Sequence, residues 1–157
     1  LAYSIRPYRS EDAVYLDELS RKAIRISAPR AYSQDQVAAW LQNYPDVTNF
    51  DTKLTLGGAC FVAVDAEGKR LGYVLLERGG HIDRLFTNPE DERRGVAQQL
   101  LAAAEHFARP HKWERLFAEA SEPARAAFER AGYHIVARRN FEIGGIPMHN
   151  WAMEKRL

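Results

Sequence analysis

Three features of this 157-residue sequence predict an α+β domain: a single mixed, mostly antiparallel sheet with helices flanking both faces. Apolar residues repeat at helical spacing near the start of the chain and again after residue 93. Between and after those stretches lie short apolar runs bounded by glycine, proline and asparagine turns, which read as strands. The resulting order is two helices, three strands, a helix, a strand, a helix and two strands. No repeat, low-complexity tract or linker divides the chain, so one domain over 1–157 is expected.

Each element has a local reason. Ser10 is a cap for a first helix whose opening turn carries Glu11 and Asp12, charges that suit the positive end of the helix dipole. Leu16, Leu19, Ala23 and Ile26 then fall on one face. Ser33 and Gln36 form a capping box. Val37, Trp40, Leu41 and Tyr44 continue it as a core stripe, and Pro45 stops the helix. Cys60 to Val64 and Leu71 to Leu76 make a hairpin about Glu67-Gly68-Lys69. Gly79-Gly80 turns into a third strand, His81 to Thr87, broken by Asn88-Pro89. A helix from Arg93 or Arg94 carries the stripe Val96, Leu100, Leu101, Ala104 and Phe107 and ends at Pro110. Leu116 to Ala120 is a strand. Pro123 and Gly132 bracket a short helix. Ile135, Ala137, Phe141 and Ile143 share one face of the next strand, and Ile146 to Met153 returns after Gly144-Gly145.

Composition removes several classes of function. A net charge of +1 argues against a general nucleic-acid binder. No apolar run is long enough to span a bilayer and no signal-peptide pattern opens the chain, so a cytoplasmic location without membrane contact is expected. Cys60, the only cysteine, sits in an apolar strand and reads as a packed core thiol. His106 and His111 have no carboxylate or thiol nearby at ligand spacing, and no metal site is expected.

The segment with chemistry is Glu92-Arg93-Arg94-Gly95-Val96-Ala97, where a strand exit meets a helix start. The first amides of a helix lack internal partners and favour an anion. Gly95 and Ala97 let a bulky anion approach the backbone, and Arg93 and Arg94 add positive charge. Neither Gly-x-x-x-x-Gly-Lys nor Gly-x-Gly-x-x-Gly is present. With Ile82 to Pro89 before it and Ser121 to Tyr133 after it, this segment resembles the GNAT superfamily of acyl-CoA-dependent N-acyltransferases, whose signature is Gln/Arg-x-x-Gly-x-Gly/Ala. The stretch Phe141 to Lys155 further resembles small bacterial members of that superfamily.

The resemblance implies acetyl-CoA as cosubstrate and a primary amine of a small molecule or peptide as acceptor. Amides from Arg93 through Arg94, Gly95, Val96 and Ala97 to Gln98 would hold the pyrophosphate. The backbone of Leu85, Phe86 and Thr87 would pair with the pantetheine arm, flanked by Ser121 and Phe128. Two residues depart from the pattern. Glu92 replaces Gln or Arg and should point away from the phosphates or pair with Arg93. Phe128 stands where many members carry a proton-donating tyrosine.

His81 and Asp83 are the candidate bases for direct attack by the amine, with no acetyl-enzyme; Glu119 is a third candidate. In a regular strand His81 and Asp83 share a face with Leu85. A salt bridge is the other reading of Asp83, and an exposed strand start the other reading of His81. Tyr32, just before a helix cap, is the candidate acceptor contact. A non-catalytic acyl-CoA-binding or sensing domain is the alternative function. An exposed sheet edge would suit a homodimer.

Overall fold

The computed structural model describes residues 2–46 and 48–157. Twelve elements appear in chain order: β1 Tyr3–Pro7, α1 Ala13–Ser27, α2 Gln34–Gln42, α3 Asn49–Thr55, β2 Ala59–Asp65, β3 Arg70–Glu77, β4 His81–Thr87, α4 Val96–Ala108, β5 Arg115–Ala120, α5 Glu122–Arg130, β6 His134–Ile143 and β7 Ile146–Arg156. The strands form one sheet in the order β1-β2-β3-β4-β5-β7-β6. Every pairing is antiparallel except β4 with β5. The mixed sheet and the helix and strand order predicted from Cys60 onward are therefore present.

Alternation along the central strands divides the core in two. Val74 and Leu76 point to one face, where they meet Val96, Leu100, Leu101 and Ala104 of α4. Tyr73 and Leu75 point to the other, against Leu16 and Leu19 of α1 and Phe50 of α3. Helices thus cover both faces, and β3 is apolar throughout because both of its sides are buried. Cys60 lies in the second cluster, 4% exposed, and burial pushes its thiol up and out of reactivity.

Two elements were not read from the sequence. β1 is five residues long and ends in Pro7, and only its pairing with β2 makes it a strand. α3 buries a single side chain, Phe50, too few to show a period. Local details also differ. Ser10 caps nothing; the Arg9 amide donates to Asp12 Oδ2 at 2.8 Å, and α1 starts at Ala13. Ile24, not Ile26, is the buried end of the α1 stripe, since Ile26 is exposed. The Ser33–Gln36 capping box forms as expected. A register shift between Ile135 and Ala137 removes Ile135 from the face of Phe141 and Ile143, and both Ile135 and Val136 are exposed on this edge strand.

The β4–β5 junction decides where a ligand can enter. Only His81↔Phe117 and Ile82↔Ala118 pair. Gly80 permits this close approach, because a Cβ there would lie 2.2 Å from the Arg115 carbonyl oxygen. Beyond Ile82 the strands part. A register shift against β3 pairs Leu75 with Arg84 and Leu76 with Ile82, leaving Asp83 as the extra residue of a β-bulge. A bulge bends and twists its strand, which carries β4 away from β5 and opens the sheet. No helix among the described residues is long and apolar enough to cross a membrane.

Candidate active site

The opening between β4 and β5 is a cleft of about 760 Å³. Leu85, Phe86 and Thr87 form one wall. Their edge facing β5 has no strand partner among the described residues, while the other edge is paired with Val74, Tyr73 and Gly72. Ser121, with Ala124 and Ala127 of α5, forms the opposite wall, and the end of α1 closes one side with Ala23, Ser27 and Ala28.

The start of α4 lies at the mouth. Gly95 adopts φ +76°, the left-handed region, and Arg93 adopts φ +64°. These two turns aim the helix start at the cleft. Gln99 is the first residue to bond back, its amide reaching the Gly95 carbonyl oxygen at 3.1 Å. The amides of Val96, Ala97 and Gln98 therefore precede the first helical hydrogen bond. All three residues line the cleft, as do Gly95 and Arg93. Gln98 also ties α4 to α5 through its Nε2, 2.9 Å from the Ala127 carbonyl oxygen.

The two arginines have different surroundings. Arg94 donates to Asp91 Oδ1 at 2.7 Å and its carbonyl accepts from Tyr3 Oη, so it braces the turn; it does not line the cleft. Arg93 is exposed and has no ion pair among the described residues. Glu92 does not pair with Arg93. It accepts from Ser27 Oγ and Arg30 Nη1, each at 2.9 Å, which neutralises it and pins the end of α1 to the mouth. Arg30 and Arg130, neither singled out in the sequence, complete the basic rim.

Other predicted positions fall behind the walls. Phe128 is 2% exposed and packs edge-on to Tyr133 with ring centroids 5.0 Å apart. Tyr32 is buried; its hydroxyl donates to the His149 carbonyl oxygen and accepts from the Glu122 amide, both at 3.0 Å. It positions Glu122, a residue the sequence reading passed over. Glu122 lines the cleft, and its carboxylate accepts from Trp151 Nε1 at 2.5 Å and His149 Nε2 at 2.8 Å. Burial opposes its ionisation, and the bonds from Trp151 and His149 outweigh that and lower its pKa. Its place two residues after β5, at the start of α5, is the only sequence signal.

A second cavity, of about 440 Å³, adjoins the first and shares Trp40 and Phe86 with it. Asp83 and Arg84 line it with Tyr44 and Lys53. Trp40 and Tyr44 pack, as expected, against the core cluster of Ile24, Tyr32, Val37 and Met148, and they also form cavity walls. The bulge breaks the expected alignment: Leu85 packs in the α4-side core, whereas Asp83 stays beside His81. Lys53 Nζ lies 2.6 Å from Glu77 and 3.6 Å from Asp83, so an ammonium group meets the charge that Glu77, His81 and Asp83 would otherwise offer a cation. Arg84 Nε is 3.3 Å from Asp83.

His81 bridges two carboxylates, Glu119 at 2.8 Å and Glu77. Its pKa is pushed up to about 9, first by the bond to Glu119 and then by Glu77, against the effect of burial. A proton held this way is unavailable as a base near neutral pH. A histidine that binds its proton more tightly when folded contributes stability below about pH 6.5, and the contribution is lost as pH rises through about 9. The stability gap between the protein and its His81→Ala variant is therefore expected to shrink by on the order of 2 kcal/mol between pH 6 and pH 9.5, read by urea unfolding. A gap independent of pH would contradict the bridged imidazolium.

A family model for the acetyltransferase (GNAT) domain matches residues 29–156. The chain belongs to the GNAT family of N-acetyltransferases. As a member, this acetyltransferase uses acetyl-CoA as donor. It is 31% identical over 150 residues to the uncharacterized N-acetyltransferase YafP of Escherichia coli (strain K12), covering 95% of this chain and 93% of that one. The crystal structure of a GCN5-related N-acetyltransferase from Rhodopseudomonas palustris matches the acetyltransferase with a TM-score of 0.89 at 29% identity, over 100% of this chain and 97% of that one. The PaiA N-acetyltransferase of Thermoplasma acidophilum, solved in complex with coenzyme A, shares the fold with a TM-score of 0.78 at 15% identity, each chain covered in full.

Proposed function

We propose that the enzyme transfers the acetyl group of acetyl-CoA directly to a primary amine of a small molecule or peptide. One observation carries this reading: the sheet splits between β4 and β5, and the free amides of α4 lie at the mouth of the split. The pyrophosphate sits on the amides of Val96, Ala97 and Gln98, with Arg93 and Arg130 beside it. The pantetheine arm runs along Leu85 to Thr87 as an added strand, with Ser121 opposite. The coenzyme A complex of the Thermoplasma protein supports this use of the shared fold. The acetyl end then reaches Phe86 and Trp40, where the two cavities meet.

The amine nitrogen attacks the thioester carbonyl, a C–N bond forms, the C–S bond breaks, CoA leaves as thiolate, and the proton shed by the acylated nitrogen passes to that thiolate or to water. A backbone amide of β4 polarises the carbonyl. A thiol pKa of about 8.5 makes the thiolate a competent leaving group, so Phe128 need supply no proton. Cys60 is buried in the core and forms no acetyl-enzyme. The acceptor ammonium must lose a proton first. With His81 already protonated, Asp83, which lies beside Lys53 and Arg84, takes that role. Asp83→Asn is expected to lower kcat about tenfold while leaving the KM for acetyl-CoA within about twofold. An unchanged kcat would remove Asp83 from the reaction.

The test of the whole reading has two parts. Acetyl-CoA should raise the melting temperature while NADH and ATP do not, and a panel of amines should accelerate thiol release from acetyl-CoA above slow hydrolysis. Equal insensitivity to all three nucleotides would overturn the cofactor cleft. Binding without accelerated release would favour an acyl-CoA sensor.

A further inference from the structure

We propose that the acceptor amine carries a carboxylate, which Arg84 binds in the cavity beside Phe86; this rests on the transferase reading above. The shared walls Trp40 and Phe86 let a molecule in that cavity present one end to the acetyl group. About 440 Å³ is room for a small molecule.

The charged lining is Lys53, Asp83 and Arg84, two cations against one carboxylate. Asp83 Oδ2 is shared between both cations, at 3.6 Å and 3.3 Å. Lys53 is better matched, because Glu77 lies 2.6 Å from it. Arg84 is the under-matched charge. It is 7% exposed, its Nη2 donates to Asn49 Oδ1, and its Nη1 has no hydrogen-bond partner among the described residues. The rings of Phe50 and Tyr44 lie 5.0 Å and 5.4 Å from its guanidinium carbon, so aromatic surface accounts for its packing but not for that N–H group. A buried donor left unpaired costs about 1–3 kcal/mol, and more on a charged group. A carboxylate matches the planar fork of a guanidinium and supplies the missing acceptor. The bulge at Asp83 is what turns Arg84 toward this cavity.

The experiment compares matched acceptors: an α-amino acid, its carboxamide, and the same amine lacking the acid group. Thiol release from acetyl-CoA is read for each. The acid is expected to exceed the amide by about tenfold or more in kcat/KM, the effect of one charged hydrogen-bonded pair. Arg84→Gln should bring the two within about twofold of one another. Equal rates for acid and amide in the unaltered enzyme, or undiminished selectivity in Arg84→Gln, would overturn the proposal. Should Arg84→Gln not fold, calorimetric binding of acid and amide to the unaltered enzyme with CoA present decides: binding of the acid alone upholds the site, and equal binding overturns it. The same measurement separates the two readings. If no amine releases thiol, the transferase reading fails, yet selective binding of the acid still supports the Arg84 site and absent binding removes it.

Discussion

Replacing Gly95 by valine is expected to weaken CoA binding about a hundredfold while leaving the protein folded. Gly95 holds φ +76° at the cap of α4, where an L-residue costs about 1–2 kcal/mol and a β-branched one the upper end of that range. Inside the protein a Cβ there would meet only Tyr3 Oη, at 3.7 Å. The strain alone should lower the melting temperature by a few degrees, on the order of 2–4 °C per kcal/mol for a chain of this size. The larger effect falls on the ligand. Gly95 lines the cleft directly before the amides of Val96, Ala97 and Gln98, so added carbon displaces the anion from them. Losing one or two charge-assisted hydrogen bonds at about 1.5–3 kcal/mol each corresponds to roughly a hundredfold in Kd. Calorimetry with CoA, on a variant shown to be folded by circular dichroism, reads this directly. Undiminished affinity would contradict the placement of the pyrophosphate at this helix start.

Asp12→Ala should be the most destabilising single change at a polar side chain, about 3–5 kcal/mol, with the melting temperature about 10 °C lower. Asp12 is fully buried and ties three segments together. Arg6 of β1 binds both of its oxygens, at 2.7 and 2.8 Å; Arg70 Nε of β3 lies 3.0 Å away; and the Arg9 amide donates at 2.8 Å. Truncation leaves two guanidinium groups, each under a fifth exposed, facing one another without a counter-charge. Burial pushes the Asp12 pKa up, but the bonds from Arg6, Arg9 and Arg70 prevail and hold it at about 2. A carboxylate depressed in this way stabilises the fold above its unfolded pKa of about 3.9, and the contribution fades as pH falls toward 2. The difference in unfolding free energy between the protein and Asp12→Ala should thus be full at pH 6 and shrink between about pH 4 and pH 2. A loss below 1 kcal/mol at pH 6, measured by urea unfolding, would show that the arginines find other partners.

The two sites lie at opposite limits of what a sequence displays. The cleft mouth at the start of α4 was legible because its parts are adjacent. A strand exit at Pro89, a basic turn and a glycine just before an apolar stripe all fall within 83–101. The capping box of Ser33 and Gln36 is legible for the same reason, being three residues wide. Asp12 looked like a first-turn acid; nothing near it in the chain announces that Arg70 would meet it.

Local pattern by itself thus determined the α+β class, the core stripe of α4, the Leu16, Leu19 and Ala23 part of the α1 stripe, and the glycine-hinged helix start that lines the cleft. These depend on backbone geometry and apolar period, which act over a few residues. Tertiary structure alone decided the rest. It placed the bulge at Asp83 that opens β4 from β5 and turns Arg84 to the second cavity. It gave Glu92 to Arg30 and Ser27 and not to Arg93. It fixed the His81 proton between Glu77 and Glu119 and aimed Glu122 through Trp151 and His149. Each of these outcomes joins charges from different elements, and the partner of a charge is chosen by the packing that brings the elements together, which no short stretch of sequence encodes.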